Sequence, residues 1–374
     1  MEEKFAIALS EKAEEEASKE VSLKIKSVFP KSIRYLLVFF TPQYHPWNIL
    51  NSINFTLKPH MIIGTQTPLL IFENKLIEKG VVACCINKAE AELKTIFIKN
   101  DEPQNIESSL RSSLKDYPRE EQSMFSLLSH QFNIFNYLRG VELSLGKSFD
   151  VFGAGYIKKY FSKNYQIIGN SVEEGLLNVM VKGIEIDFLR ISGFIPLGKP
   201  FTITKAISKK GIIMEINGQP AINIYKHYLR EKFDSFMKNY LFSLYPLGIR
   251  RENDIHLVSI IEYLQDGSLA CVGEIKENSE AHIMLLQPSS LMESLDDTLQ
   301  PLKDKEEGLV FIINSMTRKK ILKEHAEEEI SIIKNNLGDK FKLFGIYSDY
   351  SFFTNKETRE IELESGSLLA MGLR

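Results

Sequence analysis

Ser315-Met316-Thr317-Arg318 sets two hydroxyls and a guanidinium close together, and Tyr347-Ser348-Asp349 follows Gly345 with a phenol, a hydroxyl and a carboxylate. Thr65-Gln66-Thr67 follows Gly64 in the same way. Such groups can hold a small polar molecule, and the fork of a guanidinium suits a carboxylate, an amino acid among them. They can equally satisfy backbone groups nearby. Arg318 falls in the first turn of a helix that Asn314 or Ser315 can cap, where a cation is poorly placed against the dipole. It therefore calls for an acidic partner, from a ligand or from the protein.

Catalytic patterns are missing from the sequence. There is no GxSxG elbow and no HExxH helix; His325-Ala326-Glu327-Glu328-Glu329 has a single histidine and reads as a solvated helix face. The histidines at 45, 60, 130, 227, 256 and 282 show no metal-ligand spacing. Gly153-Ala154-Gly155 lacks the third glycine of a dinucleotide fingerprint, because position 158 is lysine, and reads as a tight turn. No catalytic residue, cofactor or metal is assigned on this basis. A hydrolase with Ser315 or Ser348 as nucleophile is an alternative.

The elements that must carry the two polar loops repeat along the chain. Residues 62–75, IIGTQTPLLIFENK, and 343–356, LFGIYSDYSFFTNK, share Gly64 and Gly345, Phe72 and Phe353, and Asn74-Lys75 and Asn355-Lys356 at equal offsets. Upstream, Leu37-Val38-Phe39 precedes Ile49-Leu50 as Leu309-Val310-Phe311 precedes Ile321-Leu322. Apolar runs bounded by turn residues suit buried strands, so each copy reads as strand, loop, helix, and a strand ending at the glycine. This is an internal duplication whose glycine tips meet across a common hollow.

The remaining chain mixes strands and helices without strict alternation. Phe5 to Leu9 reads as a strand and the acid-rich segment after Ser10 as a helix. Leu70-Ile71-Phe72 and Val81 to Ile86 read as a hairpin with Thr95 to Ile98 beside it. The polar stretch 99–123 reads as an exposed loop with a short helix, and residues 125–138 as a helix packed on the core. Asn217-Gly218 between apolar runs marks a tight turn. The fold class is mixed α/β, with mixed β-sheets flanked by helices in two pseudo-duplicated halves.

At 374 residues the chain exceeds what one core usually serves. Hydrophobic residues at 44% and charged residues at 25% are ordinary for a globular protein. A net charge of −3 without a basic face argues against nucleic acid. The three cysteines, with Cys84 and Cys85 adjacent in an apolar run, suit a reducing compartment and a place in the core. The N-terminus lacks the apolar heart of a secretory signal, and no apolar run is long enough to cross a bilayer. The expectation is a cytoplasmic protein without membrane insertion.

Gly193-Phe194-Ile195-Pro196-Leu197-Gly198-Lys199-Pro200, then Thr202-x-Thr204, then Asn217-Gly218-Gln219-Pro220-Ala221 with Tyr225, resembles the junction of the FIST sensory module. Ile63-Gly64-Thr65-Gln66-Thr67, Gly153-Ala154-Gly155, Tyr245-Pro246-Leu247-Gly248, Asp266-Gly267-Ser268-Leu269 and Ser315-Met316-Thr317-Arg318 extend the resemblance. The chain departs from the family pattern at Ser315, at Asp349-Tyr350 and in the closing LESGSLLAMGL. The resemblance implies a FIST N-terminal domain over 1–219 and a C-terminal domain over 220–374. It also implies a sensor, and the polar groups at the two strand tips give the expected site for a small polar ligand: Gly64, Thr65, Gln66, Thr67, Ser315, Arg318, Tyr347, Ser348 and Asp349. Nothing in the sequence resembles an output module, so the signal would pass to a partner such as a kinase or cyclase on a separate chain. A ligand-independent adaptor is the other alternative.

Overall fold

The computed structural model describes residues 3–99, 106–114, 122–128, 134–156, 163–238, 241–251, 254–272, 275–356 and 358–374. The duplicated pattern forms two parallel strand–helix–strand units. Strand Tyr35–Phe40 runs through helix Pro46–Thr56 into strand Met61–Gln66, and strand Gly308–Ser315 runs through helices Met316–Leu322 and Ala326–Leu337 into strand Phe341–Ser348. A third unit of the same kind lies between them: strand Gln122–Leu128, helix Ile134–Leu145 and strand Asp150–Gly155, again with parallel strands.

The three units share one steric device. Gly64 lies opposite Val38, Gly153 opposite Ser126, and Gly345 opposite Ile312. A Cβ on these glycines would come within 2.6 Å of Val38 O, 2.2 Å of Ser126 O and 2.2 Å of Ile312 O. Only a residue without a side chain lets the paired strands approach this closely. The first strand of each unit then delivers a phenylalanine to a common centre. Phe39 stacks on Phe311 with centroids 5.5 Å apart, and Phe125 meets Phe311 edge-on at 5.6 Å. Phe344 closes the group at 4.9 Å from Phe311, within the favourable range for aromatic pairs.

Residues 122–128 form a strand where a helix is the sequence expectation for 125–138; the helix starts at Ile134. Phe125 and Leu127 face the central core while Met124 and Leu128 face a second one, so both sides of the strand are apolar. A strand buried on both faces loses the alternation that distinguishes it from a helix. Leu70–Phe72 likewise pairs with Lys75–Ile77 across a two-residue turn and not with Val81–Ile86. The latter runs antiparallel between Phe5–Ser10 and Tyr35–Phe40. Helix Ile106–Leu114 occupies part of the polar stretch 99–123, and residues 100–105 and 115–121 lie outside the described residues.

The two halves of the chain exchange strands. Leu70–Phe72 adds to Phe341–Ser348, Ile186–Ile191 pairs with the final strand Leu368–Leu373, and Tyr350–Thr354 pairs with Asp150–Gly155. An antiparallel seven-stranded sheet, built from strands between Phe194 and Leu286, stands beside this interleaved body. Its Asn217 and Gly218 both have positive φ, 51° and 73°, as a tight hairpin turn requires. No helix among the described residues is long and apolar enough to cross a membrane.

Two expectations follow. Gly345→Ala should destabilise the fold by about 1–3 kcal/mol through overpacking against Ile312; an unchanged denaturation midpoint would contradict the close-approach account. Cys84, Cys85 and Cys271 are free and buried, and burial pushes the Cys85 thiol up to about 12. A thiol reagent should therefore label the protein only as it unfolds, because the thiolate is the reactive form.

Candidate functional site

The strand tips singled out in the sequence come together. Thr67 Oγ1 donates to Tyr347 O at 3.1 Å and lies 3.2 Å from Leu69 O, while Tyr347 N donates to Leu69 O at 3.0 Å. Asp349 N donates to Gly155 O at 3.1 Å, which brings the tip of the third unit to the same place. Thr65, Gln66, Thr67, Tyr347 and Ser348 are buried. Thr67 and Tyr347 thus bond each other, whereas Gln66 O accepts from Asn164 Nδ2 at 3.0 Å and Gln66 Oε1 has no hydrogen-bond partner among the described residues. Gly64 is the close-approach residue already described.

Ser315 caps its helix, its Oγ accepting from Thr317 N at 3.1 Å. Arg318 is fully buried, and its acidic partner is Glu329, 3.0 Å from Nε to Oε1 with a second contact from Nη2. Its Nη1 donates to Ser192 O and, at 3.3 Å, to Gly366 O. Glu329 Oε2 accepts from Asn314 Nδ2 at 3.0 Å, and the same amide donates to the Tyr347 hydroxyl at 3.0 Å. Burial and then the Glu329 charge push the Tyr347 phenol well up, so it stays neutral. Arg318 thus joins the βαβ unit to the two chain segments at Ser192 and Gly366, with its donors committed to protein acceptors.

An open cleft lies elsewhere, with a volume of about 700 Å³. Its walls come from strands Ile186–Ile191, Leu247–Arg251 and Asp254–Tyr263, and from the segment carrying Phe353, Asn355 and Lys356, the end of the second repeat. Arg190 bridges Asp254 and the fully buried Glu364. Burial alone would lower the Arg190 pKa, but the Glu364 and Asp254 carboxylates more than offset it and raise it. Burial works against the Asp254 charge, but the hydrogen bond and charge of Arg190, with the Ile255 backbone N–H, together outweigh it and hold this carboxyl below its usual range.

His256 and Glu362 stand deeper. Burial, with the Arg251 and Arg190 charges, pushes the His256 imidazole down to about 4. Burial raises the Glu362 carboxyl, and the nearby Glu364 charge adds to that. Glu362 Oε1 accepts from Asn355 Nδ2 at 2.6 Å. The sequence reading passed over this group because its members are far apart in the chain. Asp254-Ile255-His256 and Glu362-Leu363-Glu364 each put two polar side chains on one face of a strand, which is the signal that could have found them.

Replacing Glu329 by leucine should cost about 3–5 kcal/mol by leaving the Arg318 charge buried without its carboxylate. The double variant Arg318→Met/Glu329→Leu should be less destabilised than the two single changes summed. A denaturation double-mutant cycle reads this coupling, and simple additivity would dissolve the proposed network.

No curated protein matches the chain significantly. Among solved structures, a chorismatase is similar with a TM-score of 0.34 and 6% identity over 98% of both chains. A cyanuric acid hydrolase from A. caulinodans is similar with a TM-score of 0.36 and 7% identity over 99% of both chains. The FIST N domain matches residues 34–219 and the FIST C domain residues 221–349. The chain therefore belongs to the FIST family of sensory domains.

Proposed function

We propose that the protein is a sensor that takes a small zwitterionic or carboxylate metabolite, of the amino-acid class, into the cleft beside Arg190. The observation that carries this reading is the charge pattern of the walls. Arg190, Arg250, Arg251 and Lys356 face the same cleft as Asp254 and Glu362. A molecule with a carboxylate and an ammonium can satisfy both signs at once, and convergent polar groups in a concave junction are the usual form of a small-molecule site.

The cleft also has a route to the rest of the molecule. Strand Ile186–Ile191 pairs with Leu368–Leu373, which runs beside Gly308–Ser315, while Ile249 and His256 belong to the seven-stranded sheet. A ligand bridging these walls would favour one relative arrangement of the two bodies over others. Such a bias is all that a signal to a partner protein on a separate chain requires. The tips at Thr67 and Tyr347 and the buried Arg318 would stiffen the frame around which this shift occurs.

A thermal-shift screen with the proteinogenic amino acids and small dicarboxylates tests the reading. One class should raise the melting point, corresponding to about 2.7 kcal/mol at a hundredfold excess over Kd. Arg251→Ala should weaken that ligand at least about tenfold in calorimetric titration, with the melting point of the free protein little changed. Absence of any stabilising compound, together with stable capture of a partner by the unliganded protein, would favour a ligand-independent adaptor.

A further inference from the structure

We propose that His256, Glu362 and Glu364 form a binding site for a divalent transition-metal ion of the zinc class. The three side chains are buried and offer one imidazole nitrogen and two carboxylate oxygens within 4.8 Å of one another. His256 Nδ1 lies 3.4 Å from Glu362 Oε2 and 3.6 Å from Glu364 Oε1. Both distances exceed the roughly 2.7–3.2 Å of an N–H to oxygen hydrogen bond. They match ligand atoms held about 2.1 Å from a tetrahedral ion, which stand roughly 3.4 Å apart.

Two further observations point to a bound cation. His256 Nδ1 and Glu364 Oε2 are buried with no hydrogen-bond partner among the described residues, although these side chains are only 4% and 0% exposed. Polar atoms left so in a protein interior are costly unless something fills the site. The Arg190 guanidinium that faces Glu364 is shared with Asp254, so two carboxylates divide one cation. The surroundings suit a metal in another respect. Asn355 Nδ2 holds Glu362 Oε1 and so turns Oε2 toward His256; an outer hydrogen bond of this kind orients a metal-binding carboxylate.

Three protein ligands leave a fourth position, and His256 and Glu362 line the cleft, so that position faces it. The ion would fasten strand Asp254–Tyr263 to strand Ile361–Glu364 and offer the cleft a Lewis-acidic contact for a carboxylate. The metal site stands on its own geometry and does not depend on the sensor reading.

The full chain is stripped with EDTA and dialysed, and metal is then added with no organic compound present. Calorimetry should show one equivalent of Zn²⁺, and Co²⁺ should give the intense visible absorption of a tetrahedral ion without a thiolate charge-transfer band. His256→Gln and Glu362→Gln should each weaken Zn²⁺ by at least about 100-fold, with circular dichroism unchanged. Asn355→Ala, which removes only the outer hydrogen bond, should weaken it by about 10–100-fold. Failure of the folded wild-type chain to take up metal saturably would overturn the site and leave an ion cluster only. Undiminished uptake by the folded variants would overturn it equally.

Discussion

The close approach of paired parallel strands at Gly64, Gly153 and Gly345 is the constraint on which the rest of the architecture depends. Each glycine removes a side chain that would strike the carbonyl of its neighbouring strand. Freed of that obstacle, the three strand pairs can turn Phe39, Phe125 and Phe311 into one central cluster. Aromatic side chains bury large apolar areas, so this centre supplies much of the drive that brings distant parts of the chain together.

Because the core draws on three units spread from Tyr35 to Ser348, the chain cannot separate into two independent globules along its length. Strand Leu70–Phe72 completes the sheet of the last unit, and Tyr350–Thr354 completes that of the middle one. Burial of Arg318 follows from the same interleaving. Its guanidinium reaches carbonyls at Ser192 and Gly366, which belong to segments that meet only in the folded state, and Glu329 compensates its charge. Such a pair contributes registry more than net stability, because desolvation consumes most of the Coulomb gain.

The cleft beside Arg190 arises where the interleaved body abuts the antiparallel sheet. Two bodies that pack through side chains from Asp254–Tyr263 and Ile361–Glu364 leave a concave seam, and that seam gathers charges of both signs. Its floor residues His256, Glu362 and Glu364 are buried, where a charge is costly unless it is paired. Burial is accordingly the largest cause that pushes the His256 imidazole down and the Glu362 carboxyl up.

Local pattern carried a good deal of this. Gly64 and Gly345, the apolar strands before them and the matching Asn-Lys pairs were readable as a repeat because each unit obeys the same nearest-neighbour sterics. The third unit escaped, since Gln122–Leu128 is apolar on both faces and shows no period of two. Ser315 could be recognised as a cap, and Arg318 as a cation needing an acid, from positions along one helix. That the acid is Glu329, and that the tips at Thr67 and Tyr347 bond to each other, depended on which surfaces pack together.

What the sequence determined by itself is therefore the building block: strand, helix, strand, and a glycine where two backbones must nearly touch. The tertiary structure alone decided how blocks exchange strands and which polar groups share a space. His256 and Glu364 are more than a hundred positions apart and meet only through the docking of two sheets. Periodicity reports which face of an element is buried, because burial leaves a mark on neighbouring residues. It holds no record of which other face comes to lie opposite, since that choice belongs to the packing of the whole chain.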